Sequence, residues 1–65
     1  MSEEQQAAYI MAQAAAALIE ALGMMSQNLY HAQKGESIAY PGRAFDNVIE
    51  RYGIDHNSVL AFFRG

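Results

Sequence analysis

The chain has 65 residues and a mass of 7.2 kDa, which bounds it to one domain and excludes a catalytic domain with a separate substrate domain. It has no cysteine and a net charge of −3, so a disulfide frame, a thiolate metal site and a basic field for nucleic acid are all excluded. His31 and His56 stand far apart without the H-E-x-x-H pattern. A domain this short needs help to bury a core, and with disulfide and metal removed, association with another chain is what remains.

The first element is a long helix. Ser2 followed by Gln5 fits a capping box, no proline interrupts the chain until Pro41, and Gly35 stands where a left-handed cap would end the helix after Gln33. Strong helix formers dominate between these points, among them most of the 12 alanines. Within the helix Ala8, Met11, Ala15, Leu18, Leu22, Met25, Leu29 and Ala32 step alternately by three and four, the spacing of a coiled-coil seam. Opposite runs a polar line of Gln6, Gln13, Glu20, Gln27 and Lys34, one every seven residues. Alanine and isoleucine fill most positions between, so the helix is expected to be covered on most sides.

About 30 helical residues span about 45 Å, whereas a compact chain of this length has a radius of gyration of roughly 11 Å. Its own remainder cannot cover such a helix. The expectation is self-association through Met11, Ala15, Leu18, Leu22, Met25 and Leu29, in a dimer or a higher bundle. An antiparallel arrangement is the first expectation, although the periodicity itself leaves the sense open. The competing arrangement is a break at Gly23, which costs about 1 kcal/mol relative to alanine within a helix and would let two shorter helices fold back as a monomer.

A loop over residues 35–41 follows, with Pro41 suited to the first turn of the next helix. Phe45, Val48, Ile49 and Tyr52 then share one face of a second helix, ended by Gly53 as cap and Ile54 as hydrophobic cover. Asp55 or Asn57 can cap a last short helix with Val59, Leu60, Phe62 and Phe63 facing inward. The chain therefore reads as one all-α domain over residues 1–65: an oligomerisation helix over 2–34, a loop, and a helical hairpin over 42–65 that covers one side of the first helix.

Phe45 to Arg64, F-D-N-V-I-E-R-Y-G-I-D-H-N-S-V-L-A-F-F-R, resembles the helix-turn-helix segment of bacterial and phage DNA-binding proteins. Gly53 takes the place of the turn glycine, and Val59 and Phe62 the buried positions of the recognition helix. The resemblance covers about a third of the chain and implies a dimeric regulator reading DNA through Asn57, Ser58 and Arg64, an alternative to the main reading.

No catalytic motif is present. Gly35-Glu36-Ser37-Ile38-Ala39 lacks the second glycine of a nucleophile elbow, and neither a phosphate-binding loop nor a dinucleotide fingerprint occurs. No enzyme, cofactor or metal site is expected. Around the loop, Asn28, Tyr30, His31, Lys34, Ser37, Tyr40 and Arg43 combine rings, cations and amides, a set suited to an anionic, nucleotide-like ligand held between subunits. His31 and Lys34 equally suit a helix C-terminus without any ligand. The acidic start, Met1-Ser2-Glu3-Glu4, and the polar Gln13 and Glu20 favour a soluble cytoplasmic protein over a signal or membrane segment. In size and in its lack of family motifs the chain resembles small phage proteins that block or redirect host systems. The function expected is non-enzymatic: a homo-oligomer that occupies a host protein or sequesters a small anionic ligand.

Overall fold

The computed structural model describes residues 1–64. It is all-helical over those residues: α1 (Glu3–Gln33), α2 (Gly42–Arg51) and α3 (His56–Arg64). The capping box at the start of α1 is complete, the Gln5 amide donating to Ser2 Oγ at 3.1 Å and the Ser2 amide to Gln5 Oε1 at 2.9 Å. α1 runs through Gly23 without interruption, so the two-helix monomer expected from a break there does not form. At its end Gly35 (φ 73°) turns left-handed, and the amides of Gly35 and Glu36 donate back to the carbonyls of Ala32 and His31. These two bonds make a Schellman motif. α2 ends the same way, with Gly53 (φ 67°) and the amides of Gly53 and Ile54 donating to Glu50 and Ile49.

Two details differ from the sequence reading. Pro41 lies just before α2 as its N-cap, not within its first turn, and offers no side-chain cap. Of the apolar residues in α3, Val59 and Phe62 are half-buried as expected, but Leu60 and Phe63 remain on the surface, because α3 meets the rest of the chain along one narrow line.

The second half of the chain returns along α1 in the opposite direction. Tyr40 meets Asn28, Arg51 meets Glu20, Tyr52 meets Gln13 and Phe62 meets Gln6 and Tyr9. α2 and α3 therefore form an opened hairpin in which each helix rests mainly on α1 rather than on the other. The core is correspondingly thin. Ala17, Met24 and Val48 are buried, with Ala44, Phe45, Tyr52 and Ile54 packed around them. The molecule measures 49 × 17 × 10 Å with a radius of gyration of 14.9 Å, well above the roughly 11 Å of a compact chain of this length.

The hairpin lies on the polar side of α1. The residues of α1 buried or half-buried beneath it include Gln6, Ile10, Gln13, Ala17, Glu20, Met24 and His31, a second stripe stepping by four and three. At 100° per residue the centre of this stripe lies roughly 135° around α1 from that of the seam through Met11, Leu18, Leu22, Met25 and Leu29, so the two face largely away from each other. α1 thus carries two heptad stripes. The mixed one is satisfied within the chain, and the apolar one faces away from it.

Candidate functional site

The polar stripe serves the hairpin. The last carbonyls of a helix lack intrahelical donors, and Gln13 Nε2 donates to the Tyr52 carbonyl at 3.3 Å, while Gln6 Nε2 reaches the Phe62 carbonyl at 3.5 Å. Glu20 Oε2 accepts from Arg51 at 2.8 Å, and Tyr9 stacks on Phe62 with ring centroids 5.3 Å apart. The glutamine and glutamate repeat is therefore a docking strip for the returning chain. Its signal was present in the seven-residue spacing, but the acceptors are backbone carbonyls, which no side-chain pattern reveals.

The residues around the loop are brought to one end of the molecule and largely engage one another. The Asn28 side chain clamps Tyr40 from both sides, donating to its carbonyl at 2.7 Å and accepting from its amide at 2.9 Å. His31 Nδ1 lies 2.9 Å from Glu36 Oε1 across the helix end. Lys34 places its ammonium 4.5 Å from the centroid of Tyr30, whose ring meets the His31 ring edge-on. Ser37 and Arg43 are exposed. Tyr40 of this set borders a hollow. That hollow, of about 450 Å³, is lined also by Glu20, Gly23, Met24, Gln27, Asn47 and Arg51. With Glu20 and Arg51 paired across its floor it offers no uncompensated positive charge.

A second, apolar hollow of about 240 Å³ opens between α1 and α2, bordered by Ala17, Leu18 and Ala21 on one side and Phe45, Ile49 and Ile54 on the other. Leu18 also belongs to the outward seam, so this groove is continuous with it.

The seam itself is a continuous apolar row on the surface. Met11, Leu18, Leu22, Met25 and Leu29 are 53% to 72% exposed, Ile19 beside them is 72% exposed, and Ala8, Ala15 and Ala32 complete the row. Six such half-exposed side chains present on the order of 600 Å² of apolar surface, the upper end of what a single patch on a monomeric protein shows. By length and composition α1 is also apolar enough to cross a membrane. A spanning α1 with its hairpin still docked would carry Glu20, Arg51 and the hairpin's backbone into hydrocarbon, at high cost.

Around the helix-turn-helix-like segment, Asp55 caps α3 through the Ser58 amide at 3.3 Å. The Ser58 hydroxyl bond, with the Ser58 amide and His56 beside it, holds the Asp55 carboxyl below its ordinary value. Asn57 and Arg64 are exposed, whereas Ser58 is half-buried. The segment folds as a helix, a turn with left-handed Gly53, and a second helix. Phe62, half-buried as expected, is held against Tyr9 of α1. Among the described residues no group of three or more histidine, aspartate or glutamate side chains gathers as for a metal ion. Compared with known proteins, the chain matches no family model, no curated protein and no solved structure.

Proposed function

We propose that this chain is a non-enzymatic, cytoplasmic interaction protein that works as a homo-oligomer joined through the apolar seam of α1. The observation that carries the reading is the seam's position. It is a continuous row of methionine, leucine and alanine at coiled-coil spacing, facing largely away from the only part of the chain that could have covered it. A contiguous apolar surface at the upper end of what monomers expose favours an interaction site, because covering it removes apolar area from water. Copies of the same helix have the matching spacing.

Once the seam and the groove beside it are covered, Leu60 and Phe63 are left exposed on the hairpin for a different protein, such as a host factor occupied in the manner of small phage inhibitors. Sequestration of an anionic ligand has weaker support, because Asn28 and His31 already spend their polar groups on the chain's own loop. Sedimentation equilibrium tests the reading. A mass that stays at the 7.2 kDa of one chain across the accessible concentration range removes it.

A further inference from the structure

Resting on that self-association, we infer that two copies pair antiparallel through the seam, in the register that sets residue i of one chain opposite residue 40 − i of the other, with the two-fold axis beside position 20. Side-chain volumes along the exposed row select the antiparallel sense, and of its registers this one pairs all eight seam residues. An in-register parallel pair stacks each residue on itself. Ala15 then meets Ala15 between layers of Met11 and Leu18, leaving a void in the middle of the interface. Interiors packed to protein density do not tolerate such voids cheaply. The antiparallel register places Met11 opposite Leu29, Ala15 opposite Met25, and Leu18 opposite Leu22, so that every interior layer holds at least one large side chain. Ala8 and Ala32 close both ends, where the backbones can approach.

Charge selects the same sense. A parallel pair brings Glu3 and Glu4 of both copies together, four carboxylates at one end. The antiparallel pair separates them by about 45 Å, several times the Debye length of about 8 Å, and sets each acidic turn at the partner end, where Lys34 offsets the carboxylate of Glu36. Area agrees as well. The seam's apolar surface, on the order of 600 Å² per copy, approaches the roughly 800 Å² per partner of a stable interface, and the alanines and the groove beside Leu18 extend it. The pairing has a consequence for function. The two loop clusters lie at opposite ends of the dimer, so the assembly presents two separate ends instead of one shared pocket.

The absence of native cysteine makes the test direct. Ala8→Cys and Ala32→Cys are prepared separately, oxidised alone and as a mixture, and run on a non-reducing gel, with sedimentation mass measured on the reduced proteins. The inference expects an efficient disulfide between the two variants in the mixture and little self-crosslinking of either. Self-crosslinking of each variant alone, with an oligomeric mass, overturns the antiparallel sense and leaves self-association standing. An oligomeric mass with no disulfide in any combination overturns the register. A monomeric mass for the reduced proteins removes both the pairing and the self-association on which it rests.

Discussion

Replacing Leu22 by aspartate separates the role of the seam from the stability of the chain itself. Leu22 lies on the face of α1 opposite the hairpin and is 53% exposed, so its own chain provides little cover. Full burial of a leucine stabilises by about 1.5–3 kcal/mol, and the half still exposed corresponds to about 1 kcal/mol per copy gained on association. A two-fold pair loses that twice, and each aspartate also brings a carboxylate into an apolar seam, which costs several kcal/mol or forces the seam apart. The lost burial alone, about 2 kcal/mol, weakens the dissociation constant roughly thirtyfold. With the charges included, about 5 kcal/mol corresponds to several thousandfold. Sedimentation equilibrium of the wild type, Leu22→Ala and Leu22→Asp should show graded dissociation, and circular dichroism should show that helix persists in the alanine variant. Equal masses for all three proteins would refute the reasoning, as would a monomeric wild type.

The other expectations concern the hairpin and its site. Gln13→Ala leaves the Tyr52 carbonyl without its donor and should lower stability by about 0.5–1.5 kcal/mol; an unchanged urea midpoint would show that the docking strip contributes nothing. Gly23→Ala should raise stability by about 0.8–1 kcal/mol, since a β-carbon there meets nothing within 4 Å; a lower thermal midpoint would reveal a close approach at Gly23 in the assembly. The Asp55 carboxyl titrates below its ordinary value of 3.8 when folded, so the stability it contributes is present above that value and is lost as pH falls through the lowered one. Asp55→Asn should therefore lose less stability than the wild type over that acid range, and equal acid slopes would discard the capping argument. Finally, with a net charge of −3, micromolar protein should give no mobility shift of duplex DNA at low salt, and a retarded band would revive the helix-turn-helix reading.

Local signals in the sequence carried through to the structure where their cause is local. The Ser2 and Gln5 pair, the left-handed glycines at 35 and 53 and the cap at Asp55 are each completed within a few residues, so both ends of α1, the end of α2 and the start of α3 follow closely from them. The apolar seam was equally readable, because its periodicity depends only on helical geometry. The loop cluster was legible as a neighbourhood, but its chemistry was not. Asn28, a candidate ligand contact by type, is a clamp on the Tyr40 backbone, and Tyr40 lies 12 residues away, beyond any sequence window.

What the sequence determined by itself was an all-helical chain with one helix longer than its domain can wrap and an apolar row along it. Helix propensity, capping chemistry and the period of 3.6 residues act without reference to the rest of the chain. Only the tertiary structure decided which side of α1 the chain covers with its own hairpin. It chose the polar stripe, because Gln6, Gln13 and Glu20 supply partners for the carbonyls of Phe62 and Tyr52 and for Arg51. Short helices carry such unsatisfied groups in proportion to their number of ends, and an all-apolar seam could not have satisfied them. The apolar row is left outward for the same reason.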